Sequence, residues 1–355
     1  MRAAPGLLAQ AVRCGLADPA DVLGGRAWLE ATPRSNVVHR LVGGGQPVAY
    51  SKQRGAASRL DGDDPVAHER RVLPALAALR CLPSRLEMSD ETCLWTDAVP
   101  GVPLLEAPGD RRALRARARA FGAAVGALHA HPVTSGAPAA PRPWALDPDD
   151  LPPSMRGGCD HPALDAVHDA LQDPVIREVL GRQASCWDEV SWIHGDLGPA
   201  NVLVGDGPGC HHRADQHLPD DCEPVDLAGG RHSPTVWLVD LESAGMGHPG
   251  WDLAGALDTL SIMASQWGVA PGELFAAFGS AYRGAGGSAH PDAGWRCVQA
   301  LTRAWRVAAG VAHAAADVDG MGGGAADHDN QVIQLVALAR ASANRELAGT
   351  AGRRP

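Results

Sequence analysis

The chain has 355 residues, 45 % of them apolar, and a formal charge of −10. That apolar content is ample for the core of two domains or one large two-lobed one and excludes disorder throughout, while the acidic balance excludes a nucleic-acid binder working through a basic face. No run reaches the ~18 uninterrupted apolar residues of a membrane span, and irregularly spaced cysteines with no apolar leader segment point to reduced thiols in a cytoplasmic protein.

Among 31 basic residues only Lys52 is a lysine. The planar guanidinium cannot replace a compact ammonium everywhere, so a lone lysine amid arginines marks a position where geometry forbids the exchange.

In chain order, residues 5–30 carry a short helical pattern broken by Gly15, Pro19 and Gly24-Gly25, expected to pack on the N-terminal part of the fold. From Arg34, the apolar run through Val42, the turn Gly43-Gly44-Gly45 and the run through Lys52 and Gln53 read as a β-hairpin. A helix follows over Pro65–Leu79, apolar at Val66, Val72, Leu73, Leu76 and Leu79, with Glu69 on its first turns. Two short strands are expected at Ser84–Met88 and Cys93–Asp97, ahead of Ala98-Val99-Pro100-Gly101. Asp110 caps a helix to His129, with Leu114, Phe121, Val125 and Leu128 on its apolar face. Arg111, Arg115 and Arg119 repeat at a spacing that repels unless something acidic meets them, either as a solvated face or as a dock for an acidic peptide. Residues 132–162 are proline-rich and irregular, and Asp173-Pro174 starts a further helix.

The densest chemistry lies in Ile193-His194-Gly195-Asp196-Leu197-Gly198-Pro199-Ala200-Asn201 and in Leu238-Val239-Asp240-Leu241-Glu242. Asp196 and Asn201 sit five apart across a Gly-Pro turn that cannot be helix, so both side chains leave one loop. If the β-branched run after Asn201 pairs with Val236–Val239, Asp240 returns beside that loop. A hard cation such as Mg²⁺ takes oxygen ligands and keeps several waters, so Asn201 and Asp240 suffice as the protein's share. Asp196 is then free to orient an attacking hydroxyl and accept its proton. Between the two runs lies an insertion, about residues 205–235. Its Cys210, His211, His212, His217 and Cys222 match no standard zinc spacing, and its Asp215, Asp220, Asp221, Glu223 and Asp226 offer negative charge to a cationic substrate. Beyond it, Gly247-His248-Pro249-Gly250-Trp251-Asp252 leads into helices at about 252–267, 271–282, 292–316 and 330–348, whose core Trp251, Trp267, Trp295 and Trp305 are expected to build.

HGDLGPANVLV followed by VDLESAGMGHPGWDLA resembles the aminoglycoside phosphotransferase and choline kinase family, over most of residues 34–310. Gly195 and Leu241-Glu242 stand where protein kinases carry Arg and Phe-Gly, which favours the small-molecule branch. The resemblance implies an α+β, two-lobed protein-kinase-like fold, with a small β-rich lobe over residues 1–97 and a larger, mostly helical lobe over residues 98–355. It implies ATP or another nucleoside triphosphate with Mg²⁺, Asp196 as catalytic base, and Asn201 and Asp240 at the metal. Lys52 would hold the phosphates, kept in place by Glu69; Ser35 and Asn36 would belong to the loop over them; backbone groups near Asp97 and Val99 would bind adenine. His194 and Asp252 would support the catalytic loop, and His248 departs from the Gly-Asp-Pro common in the family. The expected activity is phosphorylation of a hydroxylated small molecule, an antibiotic or metabolite. The alternatives are a Ser/Thr kinase acting on a ribosomally made precursor peptide, with a partner protein in that pathway, and a nucleotide-binding scaffold without turnover.

Overall fold

The computed structural model describes residues 4–32, 36–55, 64–151, 161–188, 191–205, 234–317 and 325–351. The N-terminal part is a four-stranded antiparallel sheet in the order β1-β2-β3-β4, with β1 Ala27–Thr32, β2 Val37–Gly43, β3 Gln46–Gln53 and β4 Leu94–Asp97. Gly44 and Gly45 have φ of 59° and 79° at the tip of the β2–β3 hairpin, the left-handed pair that lets two residues close a tight turn without splaying the strands. Helix α1, Ala4–Arg13, places Leu7 and Ala11 in a small core with Leu41, Ala49, Cys93 and Trp95; α2 is the short Pro19–Leu23.

Two expectations for this region are corrected. The helical pattern ends before Ala27, because Ala27–Thr32 pairs antiparallel with Thr32 opposite Val38 and becomes a strand. Residues 84–88 form no strand and contribute only an isolated bridge between Arg85 and Thr96.

Helix α3, Pro65–Ala75, is capped by Asp64, whose Oδ1 accepts from Ala67 N at 2.8 Å, and Pro65 takes a first-turn position where its missing N–H costs nothing. It stops at Ala75 rather than Leu79, one residue after Pro74. Its Val66, Val72, Leu73 and Leu76 do not belong to the small core. They join the large one that runs through Phe121, Trp192, Leu238 and Leu260, so α3 ties the sheet to the helical part.

After the segment 98–101, β5 Val102–Pro103 pairs with β7 Val202–Gly205, which in turn pairs with β8 Thr235–Leu238; β6 Ser191–Ile193 pairs with β9 Gly245–Gly247. The helices are α4 Arg111–His129, α5 Pro162–Gln172, α6 Pro174–Ser185, α7 Pro249–Trp267, α8 Pro271–Gly284, α9 Ala293–Asp317 and α10 Ala325–Ala351. Asp110 caps α4 through Ala113 N at 2.8 Å and Asp173 caps α6 through Val175 N at 3.0 Å, both as read from the sequence. Helix α5 went unread because its start, His161 with Pro162, closes the proline-rich stretch and carries none of the usual capping residues.

Helices α4 and α8 approach closely at Gly122, where a Cβ would stand 2.2 Å from Phe278 O. Gly122→Ala is therefore expected to force the pair apart and to cost about 1–3 kcal/mol, read from the urea midpoint. An unchanged midpoint would show that the helices slide freely.

Candidate active site

The β7–β8 hairpin sets Val202 opposite Leu238, and Val239 N donates to Asn201 O at 3.0 Å. This register brings Asp240 back to the loop that carries Asp196 and Asn201. Asp240 has φ 66° and is the one non-glycine residue with positive φ among those described. Aspartate tolerates the left-handed region better than most residues, and strain of this kind concentrates at functional sites.

Lys52 meets this turn from β3. Its Nζ lies 2.8 Å from Glu69 Oε2 and 2.7 Å from Glu242 Oε2, and it donates to Asp240 Oδ1 as well. Burial by itself disfavours the ammonium, but Glu69, Asp240 and Glu242 together reverse that and raise its pKa above the ordinary lysine value. Glu69 also accepts from Leu241 N through Oε1 at 3.0 Å, so one α3 carboxylate fixes both the lysine and the turn behind Asp240.

Glu242 is the member that sequence reasoning missed, although it stands two residues after Asp240 in Val239-Asp240-Leu241-Glu242. Burial pushes its carboxyl pKa up, Lys52 lowers it and Asp240 raises it further. Asn36, 3 % exposed, donates to Glu242 from Nδ2 at 2.6 Å and accepts from Gly55 N at 3.2 Å. It therefore stands in the site as a strut for Glu242. Ser35 lies outside the described residues.

The loop bearing Asp196 is held from behind. Asp252, 1 % exposed, accepts from His194 N at 2.6 Å and Gly195 N at 2.9 Å, and meets His129 Nε2 at 3.1 Å. His129 Nδ1 lies 2.9 Å from the Tyr282 hydroxyl, a second support that the sequence left unassigned. His194 accepts from Asp196 N at Nδ1, at 3.3 Å, so its Nε2 carries the proton toward Val239 O at 3.0 Å. Trp251 Nε1 donates to Gly195 O at 2.7 Å. Gly195 has φ 80°, and a Cβ there would lie 2.1 Å from Ser243 O, so no side chain fits where the loop packs on the Leu241–Ser243 turn. His248 caps α7 through Gly250 N at 3.0 Å and stacks on Trp295 with ring centroids 4.7 Å apart. Its departure from the family pattern thus serves a helix start.

Asn201 Nδ2 lies 3.0 Å from Asp196 O and 3.3 Å from its Oδ2, which leaves Asn201 Oδ1 as the atom suited to a metal. Among the described residues no three His, Cys, Asp or Glu side chains are arranged to hold a metal; an ion such as Mg²⁺, which keeps several waters, would need only one or two side-chain oxygens here. The donor chemistry fits such an ion. Three carboxylates around one ammonium leave excess negative charge, which a divalent cation would neutralise.

At the 98–101 segment, Asp97 Oδ1 accepts from Ser84 N at 2.5 Å and Ala98 N donates to Val48 O at 3.2 Å. These bonds fix the backbone on which the adenine contacts near Asp97 and Val99 were expected. The candidate zinc and acidic residues of the insertion, between 206 and 233, lie outside the described residues. The arginine face of α4 meets an acidic residue from within the chain: Arg111 Nε donates to Glu273 at 2.8 Å, beside a cavity of about 420 Å³ that Arg115, Arg119 and Ser280 also line. Burial pushes the Cys81 and Cys297 thiols up to about 12, which suits packing and not nucleophilic chemistry.

Residues 53–210, which include Glu69, Asp196 and Asn201, match the model of the phosphotransferase enzyme family. These residues belong to that family. No curated relative matches the chain. Among solved structures, a choline/ethanolamine kinase family protein from Mesorhizobium loti is similar at 20 % identity and TM-score 0.53, covering 93 % of this chain and 94 % of its own. A Ralstonia eutropha protein assigned as an aminoglycoside phosphotransferase is similar at 15 % identity and TM-score 0.52, covering 90 % and 93 %. A choline kinase from Streptococcus pneumoniae is similar at 12 % identity and TM-score 0.52, covering 90 % and 96 %. At these identities the likeness is one of fold, and the chain has the two-lobed protein-kinase-like architecture expected of it. No described helix is long and apolar enough to cross a membrane.

Proposed function

We propose that this phosphotransferase moves the γ-phosphoryl group of a nucleoside triphosphate, ATP in the first instance, to a hydroxyl of a small molecule. The observation that carries the reading is the cluster of Lys52 with Glu69, Asp240 and Glu242, an ammonium and surplus carboxylate beside a loop bearing Asp196 and Asn201. Mg²⁺ held by Asn201 and Asp240 would neutralise phosphate charge. Lys52, kept in place by Glu69, binds the phosphate oxygens. Asp196 orients the acceptor hydroxyl and takes its proton while the acceptor oxygen bonds to the γ-phosphorus and the bond to the bridging oxygen breaks, its electron pair leaving with the nucleoside diphosphate. Positioning and charge do nearly all the work in such a transfer. The names of the similar structures, choline and ethanolamine kinases and an aminoglycoside phosphotransferase, support a small hydroxylated acceptor. A peptide acceptor has no counterpart in those names.

The test follows γ-labelled ATP into choline, ethanolamine, glycerol, glycerate and kanamycin with Mg²⁺ present. Transfer is expected to require the metal and to fall by about 10²–10⁴-fold in Asp196→Asn, with nucleotide affinity nearly unchanged because Asp196 is not among the partners of Lys52. Equal turnover by wild type and Asp196→Asn would remove Asp196 as the base. Nucleotide binding with neither transfer nor hydrolysis would leave a scaffold.

A further inference from the structure

The base in this site has a second partner, from the far end of the chain. Arg306 on α9 donates from Nη1 to Asp196 Oδ1 at 2.8 Å, while Asn201 approaches Oδ2. One turn earlier on the same helix, Arg303 is paired with Asp258 of α7. Arg306 differs from it in that its partner among the described residues is the carboxylate to which the mechanism gives a proton, and its side chain is 53 % exposed.

An acceptor hydroxyl must approach Asp196, and Oδ1 is where Arg306 stands. The guanidinium cannot lose its charge to make way. A cationic acceptor would be repelled there and would have to leave Arg306 unpaired. An acceptor bearing a carboxylate or phosphate offers the planar fork a bidentate partner as good as the one it gives up, and so frees Oδ1 for the hydroxyl proton.

We propose that Arg306 sets acceptor specificity, and that the acceptor is a hydroxylated compound with an anionic group near the reacting hydroxyl. This rests on the phosphotransferase reading and narrows it, against the cationic acceptors that the names of the similar structures suggest.

The probes are glycerate, glycerol and choline, which each carry a primary hydroxyl and differ in charge, given to the full chain with ATP and Mg²⁺. Wild type is expected to favour glycerate over glycerol and glycerol over choline in kcat/KM. Arg306→Ala should raise the KM for glycerate by about 10- to 100-fold with kcat little changed, and should flatten the order. Arg306→Glu should reverse the preference between glycerate and choline. Choline used as well as glycerate by wild type, or an order indifferent to residue 306, overturns the inference and leaves the phosphotransferase reading standing.

Should none of the three be phosphorylated, hydrolysis of ATP decides. Arg306→Ala is then expected to hydrolyse ATP several-fold faster than wild type, and millimolar acetate should accelerate wild type but not the variant. Equal rates in both proteins, with and without acetate, overturn the inference. Absence of both transfer and hydrolysis from wild type overturns it together with the function on which it rests.

Discussion

Asp240→Asn is expected to lose phosphate transfer by roughly 10³-fold while folding as well as wild type. The rate follows from charge. A unit pair at ~4 Å is worth about 4 kcal/mol at an effective dielectric near 20, and about 1.4 kcal/mol is a factor of ten. Asparagine keeps the shape and tolerates the left-handed backbone at φ 66°, so the turn survives. Stability is expected to hold or rise, because Lys52 keeps Glu69 and Glu242 as partners and one mutually repelling carboxylate is gone. The ammonium is safe at working pH. Its folded pKa is raised, so its contribution to stability is fully present below the unfolded lysine value of about 10.4 and is lost only as pH climbs through the higher folded one. The assay pairs steady-state transfer with urea unfolding. Turnover within tenfold of wild type would remove Asp240 from the metal, and a fall of several kcal/mol would make it a structural residue.

Asp252→Ala should behave in the opposite way, failing in stability first. The carboxylate takes the backbone N–H groups of His194 and Gly195 and sits 3.1 Å from His129 Nε2, all inside the core. Removing it leaves these buried polar groups without that partner, at about 1–3 kcal/mol each, partly offset because a buried charge no longer has to be desolvated. The expected loss is about 3–5 kcal/mol, a large share of the 5–15 kcal/mol typical of a folded protein. Asp252→Asn should fare little better, since its amide would turn a donor toward one of those donors. Unfolding midpoints of the two variants, set against Asp240→Asn, measure the contrast. An Asp252→Ala protein as stable as wild type would mean that the loop needs no buttress.

Much of this was legible locally. The Gly-Pro turn between Asp196 and Asn201 forbids helix, so two polar side chains had to leave one loop. Asp110 and Asp173 sit before helical runs and cap them, and the three glycines after Val42 close a hairpin. The lone lysine among arginines marked the ammonium at the centre of the site, and the early helix carrying Glu69 supplied its partner.

Other features were out of reach because they depend on pairing or on contacts between distant residues. Ala27–Thr32 has a composition that suits helix or strand, and only the edge offered by β2 makes it a strand. Glu242 could be seen in the motif, but its role depends on Lys52 of β3 and Asn36, just before β2, reaching the Leu241–Ser243 turn. His129 gives no signal in a helix end until Asp252 and Tyr282 face it.

The sequence by itself determined which polar side chains leave one loop and where the helices start, since the Asp196–Asn201 loop and the capped helices are written in neighbouring residues whose backbone preferences act within a few positions. Only the tertiary structure decided which charges share a space. Arg306 reaches Asp196 across 110 residues, one more arginine on a helix surface until packing of α9 brings it to the base. Charge interactions depend on distance in space and on burial, and neither exists until the chain has folded.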